Sequence, residues 1–175
     1  MKKILIAVDL QKDFVDGALG TAEAVAMLPR AARKLQDHEG PLFVTLDTHQ
    51  QDYLQTREGK FLPVEHCVRG SAGWQLHPVI AGALEGKAYR VVEKPTFGSV
   101  ELPKLVREAA GDEAFTVELL GLCTDICVVS NALLLKAHFP EADISVDGSC
   151  CAGVTPESHR AALETMKMCQ ITVTE

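Results

Sequence analysis

The chain has 175 residues, of which 47% are apolar, 23% charged and 5% aromatic; this is the make-up of one globular domain that buries a core without disulfide staples. Seventeen basic against 24 acidic residues leave a net charge of −7, and no stretch is rich in Lys or Arg, so nucleic acid is not an expected partner. Apolar runs are short and broken by Asp, Gly or Lys, which excludes a membrane span, and the ILIAV run ends at Asp9, too short for a signal peptide. The expectation is a single domain over residues 1–175 in the cytoplasm.

In chain order, residues 3–9 (KILIAVD) form a near-continuous apolar, β-branched run, the pattern of a strand buried on both faces. A Gly-containing loop follows. Pro29 suits the first turn of a helix running to about Glu39, before Gly40. Residues 42–47 (LFVTLD) read as a second strand. Residues 48–73 are polar and aperiodic, longer than an ordinary connection, and such loops tend to be functional. A short helix over 75–84 precedes a strand over 88–93. Ser99 can cap a helix that ends at Gly111. Residues 115–120 read as a strand, Asp125 as the cap of a helix over 126–137, and 143–146 as a strand. Thr155 and Pro156 form an N-cap and N1 pair for a helix to Met168, and 171–174 is the last strand. Strands and helices alternate, which implies a three-layer α/β/α sandwich with a mostly parallel sheet of about six strands.

Ligands of open α/β sheets bind beyond the carboxyl ends of the strands. Asp9, Asp47 with His49, Lys94, and the stretch from Cys123 to Cys127 stand there, and all can do chemistry. The six cysteines are irregularly spaced, two of them adjacent, and the length needs no staples, so free thiols in a reducing compartment are expected. Cys127 falls in the first turn of an expected helix, where unpaired N–H groups and the helix dipole lower a thiol pKa and can receive an oxyanion. Cys123, four residues earlier, is its rival, and an inert helix-start cysteine is the plain alternative for either. A thiol nucleophile needs a base and a group that orients it. Asp9, ending a buried strand, has the desolvation that raises a carboxyl toward a useful base, and Lys94 supplies charge beside it; a loop cap and a solvated lysine are the ordinary readings of the two.

Asp47 and His49 project to one side of a strand tail. With Glu58 and His66 they offer the carboxylate and imidazole donors that suit Zn, Mn or Fe(II). On residues alone, polar positions of a solvated loop are the favoured explanation.

Four stretches tie these positions together: AVDLQKDF (7–14), LDTH (46–49) with HCVRGSAG (66–73), EKPTFGS (93–99) and LLGLCTDICV (119–128). In combination they resemble the isochorismatase-like cysteine hydrolases, and among them most of all nicotinamidases, along essentially the whole chain. The resemblance implies a catalytic triad of Asp9, Lys94 and Cys127. It also implies a non-proline cis peptide near Leu122–Cys123 and an oxyanion hole from the amides of Cys123 and Cys127. Isochorismatases proper lack a nucleophile at the position of Cys127, so its presence points to amide hydrolysis. The D-x-H pair and the later His of nicotinamidases bind a metal that holds the pyridine nitrogen; Asp47, His49 and His66 match, and Glu58 stands where some members add a ligand. A homo-oligomer is a further implication.

Three departures bear on the pocket. Two prolines usually precede the later His, where this chain has Pro63-Val64-Glu65. The stretch after the catalytic Lys usually ends Tyr-Ser-Ala-Phe, where this chain has Phe97-Gly98-Ser99-Val100, so that the smaller Val100 is expected in place of an aromatic pocket wall. Trp74, the single tryptophan, is a candidate to fill the space, and Phe14, Trp74 and Phe97 are the candidate ring contacts. The reading is a nicotinamide hydrolase acting through a thioester on Cys127. A family hydrolase of another small amide or carbamoyl compound without a metal is the nearest alternative, and a non-enzymatic thiol or metal sensor the alternative of another class. The four other cysteines are expected to be packing or loop residues.

Overall fold

The computed structural model describes residues 1–174. Its strands are β1 Lys2–Val8, β2 Leu42–Asp47, β3 Arg90–Lys94, β4 Phe115–Leu122, β5 Asp143–Ala152 and β6 Thr172–Thr174. They form one parallel sheet in the order β3-β2-β1-β4-β5-β6. The order reverses direction between β1 and β4, and a crevice opens at such a switch point beyond the strand ends. Helices α1 Lys12–Val15, α2 Ala22–Asp37, α3 Arg57–Phe61, α4 Pro78–Ala83, α5 Leu102–Ala110, α6 Val129–His138 and α7 Pro156–Met168 cover the sheet. α2 packs on α4, while α5, α6 and α7 pack in series. None of the described helices is long and apolar enough to cross a membrane.

β1 and β2 are buried along nearly their whole length, which is why they read as unbroken apolar runs. β4 and β5 instead alternate, with Thr116, Glu118, Ser145, Asp147 and Ser149 half-buried. Glu118, Asp147 and Ser149 line an open cleft beside α2, where Lys34 pairs with Glu118 at 2.7 Å and with Asp147. At the switch point Gly121 has φ 125°, and a Cβ there would come within 2.1 Å of the Val8 carbonyl oxygen. Only glycine lets β4 approach β1 so closely.

Several local expectations are corrected. Pro29 lies inside α2, not in its first turn; the helix begins at Ala22 because Thr21 accepts from the Ala24 N–H. The buried stripe through Met27, Leu28, Ala31 and Leu35 outweighs the roughly 3 kcal/mol that an interior proline costs. α5 begins at Leu102 with Glu101, not Ser99, at its cap, and the Ser99 N–H donates to Asn131 Oδ1 at 2.9 Å. Asp125 caps nothing: a π-turn over Thr124–Val128 precedes α6, and both Asp125 oxygens accept from the Val154 N–H. β5 runs to Ala152, beyond Val146, because it follows β4 to its end, with Leu122 opposite Ala152. Within residues 48–73 a 3₁₀ turn over Tyr53–Gln55 and α3 organise much of the loop.

Candidate active site

Asp9 follows β1 in a left-handed conformation (φ 47°), a sparsely populated state that the surroundings must hold in place. Its N–H donates to the Thr45 carbonyl, and the Thr45 hydroxyl donates to Asp9 Oδ1 at 2.6 Å. Lys94, at the end of β3, reaches under β2 to place Nζ 2.6 Å from Asp9 Oδ2. The same Nζ lies 3.5 Å from Cys127 Sγ, 3.6 Å from Asp47 Oδ1 and 3.0 Å from the Thr96 carbonyl. Both side chains of the Asp9–Lys94 pair are 0% exposed. A charge that deep is retained only when paired and hydrogen-bonded.

Burial raises the Asp9 carboxyl above its ordinary value, and Lys94 opposes the shift. Burial alone would lower Lys94, but the charges around it, Asp9 first, raise it. The Cys127 thiol is pushed well up by burial and then by Asp9, with Lys94 again opposing. The helix-start argument anticipated a lowered thiol pKa; burial and Asp9 move it the other way. Cys127 lies in the π-turn and Cys123 immediately before it, after the cis Leu122–Cys123 peptide. Cys123 is half-buried, and burial pushes its thiol up to about 12. All six cysteines are unpaired.

Asp47, His49, Glu58 and His66 converge so that one donor atom of each lies within 4.8 Å of every other. Asp47 Oδ2 is 3.0 Å from His49 Nε2 and 3.5 Å from His66 Nε2, and Glu58 Oε1 is 3.6 Å from His49 Nε2. His66 Nδ1 lies 2.8 Å from the Val64 carbonyl; a carbonyl only accepts, so Nδ1 carries the proton and Nε2 turns its lone pair to the cluster in the neutral ring. His49 Nε2 is buried and makes no aligned hydrogen bond despite the nearby carboxylate. These atoms aim at a shared point rather than at one another, which fits a divalent cation. Burial would raise Asp47, but the His49 and His66 imidazoles beside it and the Lys94 charge hold it far below the usual carboxylate range. Burial raises Glu58.

Asp47, Glu58, His66, Cys123 and Cys127 share one cavity of about 240 Å³. Phe14 is buried there, edge-on to His66 with centroids 5.5 Å apart, and Phe97 lines the wall. Trp74 is not part of the lining; its indole N–H donates to the Thr48 hydroxyl at 2.9 Å. Val100, 76% exposed, walls nothing.

Several supporting residues escaped the sequence reading. The buried Gln11 amide accepts from the Asp47 N–H (2.7 Å) and donates to the Asp47 and Trp74 carbonyls (2.8 and 2.9 Å), fixing the strand end that carries Asp47. Asn131, one turn after Cys127, donates to the Cys127 and Phe97 carbonyls. Asp13 accepts from the Cys67 N–H and leaves no room for a side chain at residue 73, tying the His66 segment to α1. Leu19, Thr21, Leu62, Ile126 and Val154 complete the wall. Asn131 carried a usable signal, since it is polar within the largely apolar stretch 126–135; the wall residues carried none.

The isochorismatase domain family matches residues 3–175. The chain belongs to that family. A nicotinamidase/pyrazinamidase from Mycobacterium tuberculosis is 27% identical, over 97% of this chain and 96% of that protein. Among solved structures, a nicotinamidase/pyrazinamidase from Bacillus subtilis superposes with a TM-score of 0.85 at 26% identity, covering all of both chains. A pyrazinamidase from Pyrococcus horikoshii, solved in complex with zinc, has the same fold with a TM-score of 0.80 at 24% identity, covering 100% of this chain and 99% of that one.

Proposed function

We propose that the protein is a cysteine amidohydrolase that converts nicotinamide to nicotinate and ammonia. The observation that carries this reading is the Lys94 ammonium, 2.6 Å from Asp9 and 3.5 Å from Cys127 Sγ, behind a cavity that Cys127 lines together with Asp47, Glu58 and His66 of the metal-type cluster. Its relatives named as nicotinamidases support the same substrate.

Asp9 takes the Cys127 proton as the sulfur attacks the carboxamide carbon. This suits a neutral thiol beside a carboxylate of raised pKa, because the proton moves only when substrate is present. The amides of Cys123 and Cys127 receive the oxyanion. Asp9 returns the proton to the leaving nitrogen, and ammonia departs. Asp9 then activates the water that cleaves the thioester, releasing nicotinate. Lys94 stays charged and stabilises Asp9 as it gains and loses the proton. Phe14 and Phe97 contact the ring. Asp47, His49, His66 and Glu58 would hold a divalent ion, with Zn, Fe(II) and Mn the candidates, and it would supply Lewis-acid binding of the pyridine nitrogen. The whole chain acts as one domain in the cytoplasm, as a homo-oligomer.

Ammonia release from nicotinamide, pyrazinamide and a panel of aliphatic amides, with and without a chelator, tests the reading. Turnover of the two ring amides that chelation abolishes is expected. Turnover of aliphatic amides alone, indifferent to chelator, would favour a metal-free hydrolase of another small amide.

A further inference from the structure

The cavity changes character from floor to mouth. Its floor is polar and sealed, with Asp47, His66 and Cys127 at 3, 3 and 4% exposure. Its mouth is apolar and wet: Leu62, Phe97 and Val154 line it and are 38, 43 and 54% exposed, and Phe61 beside Leu62 is 87% exposed. Apolar side chains clustered at the entrance of a site and left to water mark a surface that something apolar covers.

Resting on the nicotinamidase reading, the substrate's two polar groups both face the floor: the carboxamide at Cys127 and the ring nitrogen at the Asp47–His66 cluster. In a pyridine-3-carboxamide the nitrogen is atom 1 and the carboxamide is on atom 3. Atom 5 is the one ring position meta to both, so it points away from the floor. We infer that Leu62, Phe97 and Val154 form a subsite for an apolar substituent at atom 5, and that the protein prefers 5-alkyl pyridine-3-carboxamides to nicotinamide itself. The opposite placement is penalised. A substituent at atom 6 flanks the nitrogen and meets the Asp47, Glu58 and His66 donors, and one at atom 2 is wedged between the two anchored groups.

The test compares kcat/KM for nicotinamide, its 5-methyl and 5-propyl derivatives, and the 2- and 6-methyl isomers. A fully buried methylene is worth roughly fourfold in kcat/KM; with the mouth partly wet, an advantage of about tenfold is expected for the propyl compound. The 2- and 6-methyl isomers should fall well below the parent. Leu62→Ser combined with Val154→Ser, both at exposed positions, should bring the 5-propyl to nicotinamide ratio down to about one or less. Nicotinamide turnover with no 5-alkyl advantage, a 6-methyl isomer as good as the 5-methyl, or a ratio the double variant leaves unchanged would overturn the inference. So would a double variant whose mass in solution differs from the parent's, since the mouth would then be a contact between copies of the chain. Turnover of none of the ring amides would instead defeat the underlying nicotinamidase reading.

Discussion

At one end of the site a carboxylate, an ammonium and a thiol are sealed from water. At the other, two carboxylates and two imidazoles crowd within 4.8 Å. Both ends use an aspartate that ends or follows a parallel strand, yet the two aspartates are driven in opposite directions. Burial dominates at Asp9 and raises it. At Asp47 two neighbouring imidazoles and the Lys94 charge outweigh burial and lower it. The same residue type becomes a proton acceptor in one place and a permanent anion in the other. Neighbours decide the role, and Lys94, within 3.6 Å of both, is the charge they share.

The largest effect that separates the ends is expected from Cys127→Ala. It should lower kcat for nicotinamide by roughly 10⁴-fold or more while melting temperature and metal content stay at parental values. A variant that also loses its metal would show that the ends are not independent. Lys94→Met removes the shared charge and leaves Asp9 buried without its partner. Denaturant unfolding should show a loss of about 3–5 kcal/mol, and a loss below about 1 kcal/mol would mean that water reaches Asp9. His49→Ala acts on the other end alone. It should reduce kcat/KM for nicotinamide by roughly 10²-fold with little change in melting temperature, and metal analysis should show the ion depleted. Gln11→Ala leaves the buried Asp47 N–H unpaired and should cost about 1–3 kcal/mol of stability, with the weaker metal retention expected of a loosened ligand.

The pH dependence sharpens the contrast in sign. Asp9 must be ionised to accept the thiol proton, and its pKa is raised, so kcat/KM should fall as pH drops through a value above the usual aspartate range. Asp47, held low, stays ionised throughout that window. An acid limb at or below ordinary aspartate values would place the controlling titration at the wrong end.

Much of this was legible in the sequence where one force dominates. β1 and β2 are buried on both faces, so Leu5, Ile6 and Val44 spell out strands unaided. The ends of those strands put Asp9 and Asp47 where ligands bind, and Thr155 with Pro156 marked the start of α7. Legibility failed where tertiary contacts decide. Pro29 resembles a helix start, yet the helix runs through it because the stripe of Met27, Leu28, Ala31 and Leu35 on either side of it is buried. Asp125 resembles a cap, but its carboxylate serves the Val154 N–H, a partner 29 residues away. The cavity wall draws Leu19, Leu62, Ile126 and Val154 from four separate segments, and no local pattern connects them. Trp74 was a reasonable candidate wall by size, but its indole N–H is taken by Thr48. The helix start was expected to lower the Cys127 thiol pKa, whereas burial and then Asp9 raise it.

The central claim is that Cys127, served by Asp9 and Lys94, hydrolyses a ring carboxamide. Its most direct test is to incubate purified protein with nicotinamide and to measure ammonia and nicotinate together, in parallel with the folded Cys127→Ala variant. The account predicts equal amounts of the two products from the parental protein and none from the variant. Undiminished release by the variant, or none from the parental protein with its metal bound, would contradict it.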